Sequence, residues 1–308
     1  VGQISVFASY VVQILLNLVM ISMMLLQLAR GKACAERVVE VLDTEIDIVN
    51  PENAFVPTEP KGEVEFKNVS FKYDPESHGD NILENISFKA KPGQIVGIVG
   101  GTGCGKSSLV NLIPRLYDAT QGEVLVDGVD VKKYDLKALR EMIGVVLQKN
   151  VLFSGTIEEN IRWGKKDATH EEIVAACKAA QADGFINEQP DGYNTYLAQG
   201  GLNLSGGQKQ RLCIARAMIK KPKILILDDS TSAVDTATEA KIRESFYGDL
   251  KDTTVFIIAQ RISSAKDADE ILVVDDGKIK GVGNHDELIK TNEIYQEIYN
   301  TQQKGVLE

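Results

Sequence analysis

One short glycine-rich segment restricts the fold of this chain more than any other part of the sequence. It reads Gly100-Gly101-Thr102-Gly103-Cys104-Gly105-Lys106-Ser107, which fits the pattern GxxxxGK[ST]. The apolar run Ile95–Val99 before it is typical of a buried parallel strand, and apolar residues at helical spacing follow it over 109–116. A loop of this type between a strand and a helix presents backbone N–H groups to an anion. We therefore predict an α/β fold built on a parallel sheet.

This loop and a second, acidic segment predict a site for a nucleoside triphosphate with Mg²⁺. Lys106 is expected to reach the β- and γ-phosphates, and Ser107 is expected to bind the metal ion. A further apolar run, 224–227, ends in Asp228 and Asp229. Because an acid at the carboxyl end of a strand beside a phosphate loop meets the ion, Asp228 is a second predicted metal ligand. The predicted nucleotide-binding residues of the loop are Gly100, Gly101, Thr102, Gly103, Cys104, Gly105, Lys106, Ser107 and Ser108.

The first 29 residues differ sharply from the rest, because all 34 Lys and Arg and all 44 Asp and Glu residues follow Ala29. An apolar helix of about 20 residues spans the hydrocarbon layer, so we predict a transmembrane helix over 1–29 that is surrounded by lipid. Arg30, Lys32 and Arg37 follow at once, which places the remainder of the chain in the cytoplasm, beneath the cell (inner) membrane. A cleaved signal peptide fits less well, since the run lacks a basic start. A buried helix of a soluble protein rarely needs so long a charge-free run.

Polar residues recur every four positions along this predicted helix. Ser5, Ser9, Gln13 and Asn17 lie on one helical face, which indicates contact with other helices or with a substrate path. A single helix is not a complete membrane domain, and a chain that begins at Val1 is expected to be a processed or truncated product.

The predicted boundaries further along the chain rest on local sequence patterns. An amphipathic helix is predicted over 32–44, and three prolines, at 51, 57 and 60, mark a linker. The resulting divisions are a helix extension and linker at 30–60, a soluble domain at 61–302 and a tail at 303–308.

Composition excludes several other classes of protein. The net charge of −10 makes nucleic acid an improbable partner, and 44% hydrophobic residues exclude a disordered chain. The four cysteines form no CxxC pair, so the sequence supports neither a zinc site nor a disulfide framework, and a reducing compartment is expected.

A second glycine-containing motif lies at a helix start. It reads Leu204-Ser205-Gly206-Gly207-Gln208 and precedes a helical pattern that Ser205 caps. Each glycine in the first turn costs about 1 kcal/mol relative to Ala, which indicates that a ligand approaches the backbone there. Exposed N–H groups at a helix start suit a γ-phosphate, whereas a loose loop is the simpler alternative.

Taken together, the motifs resemble those of ATP-binding cassette (ABC) transporters, and in particular exporters whose membrane helices and nucleotide-binding domain share one chain. The resemblance covers all 308 residues, with 1–29 similar to the last membrane helix of a half-transporter whose earlier helices are missing. It implies that ATP and Mg²⁺ are bound between two cassettes, so that a lone copy is a poor ATPase. It also implies a second ABC half-transporter as partner and a transported substrate that the sequence does not specify.

The resemblance assigns further site residues by motif. Tyr73 corresponds to the aromatic residue that stacks on adenine, and Gln148 to the residue that contacts Mg²⁺ or water and senses the membrane domain. Leu204, Ser205, Gly206, Gly207 and Gln208 correspond to the signature that caps the partner's ATP. The D-loop that links the two sites corresponds to Ser232, Ala233, Val234 and Asp235.

Two catalytic positions depart from the family pattern. Asp229 stands where the family has the Glu that acts as general base, and Gln260 stands where it has the switch His. The Asp carboxylate is one methylene shorter, and a displacement of about 1 Å can cost about 10²-fold in rate. Gln260 can bond a γ-phosphate but cannot transfer a proton. Gln199 replaces an acidic residue before the signature, which is expected to alter coupling to the membrane domain.

We therefore interpret the chain as the impaired-site subunit of a heterodimeric exporter, with Gln148, Asp229 and Gln260 as its catalytic positions. Three alternatives stay open: a slow homodimeric exporter, a regulatory subunit that binds ATP as a clamp, and an ABC ATPase of the nucleic-acid-repair or translation kind. The last has no membrane segment and fits the acidic composition poorly.

The predicted fold is α/β: a P-loop NTPase core with a flanking antiparallel β region and a helical subdomain, as in an ABC ATPase, preceded by one transmembrane helix. Core strands are predicted at 95–99, 143–147, 224–228, 254–258 and 271–274. Antiparallel strands are predicted at 63–73 and 86–90, the helical subdomain at 156–218 with helices at 171–180 and 205–219, and closing helices at 286–289 and 293–299.

Overall fold

A computed structural model describes residues 2–74, 79–229, 235–248 and 250–304. The chain divides into two compact units, Val1–Val49 and Asn50–Glu308. The predicted D-loop residues Ser232, Ala233 and Val234 lie outside the described residues.

The first unit consists of one helix, α1 (Gly2–Leu42), whose residues are all exposed. By length and composition this helix can cross a membrane. It continues without a break past residue 29, because Arg30 and the residues after it keep the helical conformation. Within the predicted polar stripe, the Ser9 hydroxyl donates to the carbonyl of Ser5 at 2.9 Å, so this polar group is satisfied inside the helix.

The segment at 50–60, predicted as linker, is fastened to the second unit. The Asn50 side chain donates to the Asp135 carboxylate at 2.7 Å and accepts the Leu136 N–H at 2.8 Å. Phe55 pairs with the chain at Tyr134, and the two rings meet edge to face at 5.1 Å. The prolines that indicated an extended segment are therefore compatible with a segment packed along the domain surface.

A six-stranded sheet forms the centre of the second unit, in the order β12-β11-β3-β10-β9-β6. Five strands are parallel and β12 is antiparallel to β11. All five predicted core strands are confirmed. The strands are β3 (Ile95–Val99), β6 (Ile143–Val146), β9 (Ile224–Asp228), β10 (Thr254–Ala259), β11 (Glu270–Asp275) and β12 (Lys278–Gly283).

Both faces of this sheet are covered, which explains the uninterrupted apolar runs in its strands. Ile95 and Val99 point into one core, shared with the helices, whereas Val96 and Ile98 point into the other, shared with the antiparallel sheet. The period of two along a strand thus assigns alternate residues to two separate cores.

The antiparallel sheet has four strands in the order β2-β1-β4-β5. Two of them were predicted, although β2 begins three residues earlier than expected, and β4 and β5 were not predicted. A two-stranded sheet pairs β7 with β8. These strands are β1 (Val64–Phe71), β2 (Leu83–Ala90), β4 (Gln121–Val126), β5 (Val129–Asp130), β7 (Gly155–Thr156) and β8 (Tyr196–Leu197).

The helices predicted for the helical subdomain and the C-terminus are present. Several begin with a capping box, as at Thr156, Thr169, Ser205 and Asn284. The helices are α2 (Lys106–Asn111), α3 (Leu136–Glu141), α4 (Ile157–Arg162), α5 (His170–Ala179), α6 (Asp183–Asn187), α7 (Gly206–Met218), α8 (Thr236–Gly248), α9 (Ile262–Ala265), α10 (His285–Thr291) and α11 (Glu293–Lys304). Short 3-10 turns lie at Val131–Lys133, Gly192–Asn194 and Gln199–Gly201.

Candidate nucleotide-binding site

The carboxyl ends of four neighbouring parallel strands bring the predicted site residues to one edge of the sheet. The phosphate loop follows β3, and Gln260 follows β10 next to it. Asp228 ends β9, and Gln148 follows β6 beside it. In an open parallel sheet this edge is where ligands bind.

The glycines of the phosphate loop have backbone and packing requirements that other residues do not meet. A Cβ at Gly100 would collide with the carbonyl oxygen of Val274 on β11. Gly105 has φ 97° in the left-handed region and forms the N-terminal cap of α2. A Cβ at Gly101, in contrast, would meet nothing within 4 Å. The loop is therefore fixed against the sheet at Gly100 and open at Gly101.

Lys106 is largely buried, and its ammonium lies inside the loop. The Nζ atom donates to the carbonyls of Gly100 at 2.9 Å and Gly101 at 2.6 Å, and contacts Cys104 Sγ at 3.6 Å. A positive charge bordered by backbone groups at a helix start suits a phosphate. The arrangement therefore fits a nucleotide polyphosphate.

Ser107 and Asp228 lie together across the loop. The Ser107 side chain lies near the Asp228 carboxylate. Burial raises the pKa of Asp228, whereas the neighbouring Ser107 hydroxyl and the charge of Lys106 oppose that rise. A hydroxyl and a carboxylate are hard oxygen donors of the type that Mg²⁺ prefers, so these residues fit the ion.

Asp229 follows directly, beside two polar neighbours. The side chain of Gln148 and the backbone of Gln260 both lie near its carboxylate. Its own N–H donates to the Ile258 carbonyl at 3.0 Å, and its φ is 47°. Burial raises the pKa of Asp229, and the neighbouring carboxylate of Asp228 raises it further. The three predicted catalytic positions therefore lie close together.

An aromatic group borders the helix side of the phosphate loop. The Tyr73 hydroxyl and the Ser108 hydroxyl share a hydrogen bond of 2.9 Å. The Tyr73 ring is half exposed and meets the Tyr117 ring edge to face at 5.0 Å. Tyr117 was not predicted, because it lies in an irregular segment that no motif marks. An exposed aromatic face next to a phosphate loop suits a purine base.

The signature motif forms the start of α7 in the helical subdomain. Ser205 and Gln208 make the reciprocal bonds of a capping box, with N···O distances of 2.9 and 3.3 Å. Leu204 is buried, whereas Gly206 is exposed. The motif therefore presents backbone at a helix start, as the sequence predicted.

Arg211, one turn further along α7, was not predicted as a site residue. It donates to the carbonyls of Gly207 at 3.3 Å and Gln181 at 2.7 Å. Its charge helps to lower the pKa of Asp235, although the hydrogen bonds from Thr238 contribute more. Arg211 thus braces the start of the signature helix against Gln181, and its charge lies near the described end of the D-loop.

Comparison with known proteins shows which family this domain resembles. Residues 83–232 match the family model for ABC transporters. The chain is 44% identical over 305 residues to an uncharacterized ABC transporter ATP-binding protein, YknU, of Bacillus subtilis, covering 99% of this chain and 52% of that protein. It is 43% identical over 299 residues to a fatty acid ABC transporter ATP-binding/permease protein of Mycobacterium bovis, covering 96% of this chain and 46% of that protein.

A solved structure supports the same conclusion. A bacterial Atm1-family ABC exporter with ATP bound matches with a TM-score of 0.83 and 37% identity, covering 89% of this chain and 47% of that one. The chain spans about half the length of the curated relatives it matches. Site geometry, family match and structural match agree, and the chain contains an ABC transporter ATP-binding domain of the exporter type.

Proposed function

We propose that this chain is one half of an ABC exporter in the cell (inner) membrane and couples ATP binding and hydrolysis in a cassette dimer to export. The phosphate loop, the candidate membrane helix α1 and the exporter relatives support this function. A transporter of fatty acids among the relatives makes apolar compounds the first substrates to test. The cassette lies in the cytoplasm, where ATP is available.

In this proposal each residue at the sheet edge has its own role in nucleotide binding or hydrolysis. Lys106 and the loop N–H groups bind the polyphosphate, and Tyr73 stacks on the base. Ser107, Asp228 and Gln148 would hold Mg²⁺, which would neutralise negative charge on the polyphosphate when bound. Asp229 accepts the proton of the attacking water, and its raised pKa favours proton uptake.

Asp229 is the single observation that carries the proposal of an impaired site. Its carboxylate lies beside that of Asp228 at the end of β9. Being one methylene shorter than Glu, it reaches less far toward a water molecule on the γ-phosphate, and about 1 Å of misplacement costs about 10²-fold. The side-chain amide of Gln260 cannot give up a proton near neutral pH, so it does not replace the missing His as a proton donor. The site therefore holds ATP and turns it over slowly.

The signature motif, in contrast, carries the full family pattern. Its capping box is formed and its glycines lie at the start of a helix of 13 residues. We infer that Ser205, Gly206 and Gly207 complete an ATP site whose phosphate loop belongs to a second half-transporter. A partner with Glu and His at the positions equivalent to Asp229 and Gln260 would make that site able to hydrolyse ATP. This requirement favours a heterodimer.

Hydrolysis measurements test this division of labour. We expect the purified chain alone to hydrolyse ATP slowly and a mixture with its partner to hydrolyse it rapidly. The double variant Asp229→Glu with Gln260→His is expected to raise the rate of the chain alone by about tenfold to 10²-fold. Asp229→Asn with Gln260→His is the matched control, since it lacks the base. Rapid hydrolysis by the unaltered chain alone would refute the impaired site.

A slow homodimer is the second candidate, and the raised pKa of Asp229 favours it. Burial and the neighbouring Asp228 carboxylate raise that pKa, which suits a carboxylate that takes up a proton. Single-turnover hydrolysis with trapped nucleotide separates this candidate from a regulatory clamp. A slow enzyme releases phosphate from bound ATP, whereas a clamp retains intact ATP.

A further inference from the structure

Two hydrogen bonds join the last helix, α11, to the loop that follows β10. The Nε2 atom of Gln302 donates to the carbonyl oxygen of Gln260 at 2.7 Å. The N–H of Ile262 donates to Oε1 of Gln302 at 2.8 Å. One side-chain amide thus satisfies a backbone acceptor and a backbone donor that are two residues apart.

The second of these bonds replaces a missing local cap. Ile262 begins α9, and the capping position, Arg261, makes no side-chain hydrogen bond to the helix. First-turn N–H groups need an outside acceptor. Gln302 supplies that acceptor from a position 40 residues further along the chain.

The same loop lies beside the candidate general base. The N–H of Asp229 donates to the carbonyl of Ile258 at 3.0 Å, two residues before Gln260, and the backbone of Gln260 lies near the Asp229 carboxylate. Gln302, which donates to the carbonyl of Gln260, therefore holds a loop that borders Asp229. A rotation of the peptide after Gln260 would break the bond to Gln302 and change the direction of the loop.

The helix that carries Gln302 is itself well anchored. Tyr295 is fully buried, and its hydroxyl shares a hydrogen bond of 2.8 Å with His285 Nδ1. Ile294 and Ile298 pack against the core below the sheet. Gln302 lies seven residues after Tyr295, which places both on one face of the helix. The Gln302 amide therefore contacts the loop from a helix that is firmly packed against the domain.

We propose that Gln302 is a positioning residue for the nucleotide site: it holds the loop at Gln260 next to the end of β10, where Ile258 accepts the N–H of Asp229, and so fixes the position of the Asp229 carboxylate. The role in hydrolysis rests on the proposed function of Asp229. The role in fixing the loop does not, and the two are tested separately.

Hydrogen exchange of the full chain tests the fixed loop directly. Gln302→Met keeps the length of the side chain and removes both hydrogen bonds, and Gln303→Met is the matched control at an exposed neighbouring position. We expect exchange in the peptide covering 259–263 to rise about tenfold in Gln302→Met and to stay at the wild-type rate in Gln303→Met. Unchanged exchange in Gln302→Met would overturn the proposal.

A second variant separates the two bonds. Gln302→Glu keeps an acceptor for the Ile262 N–H and loses the donor to the Gln260 carbonyl. We expect it to keep Ile262 protected and to raise exchange of the Asp229 amide, whose N–H bonds the Ile258 carbonyl next to the loop. Equal exposure of both amides would mean that the helix has merely come loose, and this would overturn the proposal.

Hydrolysis tests the consequence for Asp229. In the background of Asp229→Glu with Gln260→His, we expect Gln302→Met to lower kcat about fivefold and to leave the Kd for ATP unchanged, since Gln302 does not contact the phosphate loop in the described contacts. A weaker Kd with an unchanged kcat would overturn the positioning role. If the background variant does not hydrolyse ATP, the proposed function of Asp229 fails, and the exchange result alone decides whether Gln302 fixes the loop.

Discussion

Asn160 connects the segment after Gln148 to the helix that begins with the signature, and its removal gives a sharp test of the fold. Its side chain is 1% exposed. Its Oδ1 accepts the N–H of Phe153 at 2.9 Å and a guanidinium N–H of Arg216 at 3.0 Å. Its Nδ2 donates to the carbonyls of Phe153 at 2.9 Å and Thr156 at 3.0 Å. The substitution Asn160→Ala removes all four bonds.

The expected loss of stability follows from these partners. Three bonds join neutral groups and are worth about 1 kcal/mol each, and the bond to Arg216 is worth about 2 kcal/mol. Arg216 keeps its bonds to the carbonyls of Val151 and Asn160, both at 2.9 Å, so the guanidinium stays partly satisfied. We therefore expect Asn160→Ala to lower the free energy of unfolding by about 3–5 kcal/mol.

The chain contains a natural reporter for this measurement. Its one tryptophan, Trp163, contacts the ring of Phe153 at a centroid distance of 5.0 Å. Its fluorescence therefore follows the segment that Asn160 holds, while circular dichroism follows the whole domain. For a domain of this size we expect the melting temperature to fall by about 10 °C. The tryptophan transition is expected to come before the loss of helix.

The control is Asn194→Ala, because Asn194 is exposed and its N–H bonds only a backbone carbonyl, that of Asp191. That variant is expected to melt within about 2 °C of wild type. If Asn160→Ala also melts within that margin and leaves the tryptophan spectrum unchanged, the four bonds do not hold the segment and the reasoning is wrong.

Three further predictions follow from single contacts. The hydrogen bond from Arg162 lowers the pKa of Glu158, so this bond stabilises the fold at neutral pH and ceases to do so as the pH falls below 4.5. The free energy of unfolding of Glu158→Gln should therefore be about 0.5–1 kcal/mol below that of wild type at pH 7, and equal to it in acid, as measured by chemical denaturation. Burial raises the pKa of Cys177 to about 12, so a thiol reagent should label exposed Cys34 first and Cys177 only after denaturation. A Cβ at position 100 collides with the chain, so Gly100→Ala should abolish binding of a fluorescent ATP analogue while Gly101→Ala retains it.

The phosphate loop and the core strands were predictable because each is a local pattern. The loop is specified within eight consecutive residues, and a strand such as Ile224–Asp228 shows its burial in its composition. The capping box at Ser205 is likewise complete within four residues. In all three, the interacting groups are neighbours in the sequence, and the pattern alone identifies them.

Contacts across long sequence separations were not predictable from the same patterns. Asn50 reaches Asp135 across 85 residues, and Gln302 reaches Gln260 across 42. Such bonds join a polar side chain to whatever group the fold brings near it, and neither periodicity nor composition marks the pair. The docking of 50–60 was missed for this reason, and so was β4, whose pairing with β1 exists only in the folded domain. The short strand β5, which pairs with β4, was missed with it.

The backbone conformation at Asp229 limits how much hydrolysis a Glu at this position can restore. Its φ of 47° is left-handed, a conformation that Asp tolerates better than Glu because its short side chain bonds nearby backbone groups. Asp229→Glu therefore gains reach but adds strain of about 1 kcal/mol, which reduces the population of the productive loop about fivefold. The bond from Gln302 to the Gln260 carbonyl and the bond from the Asp229 N–H to the Ile258 carbonyl oppose that strain. It follows that the gain from Asp229→Glu should be larger with Gln302 intact than with Gln302→Met, and equal gains in the two backgrounds would show that the loop does not support residue 229.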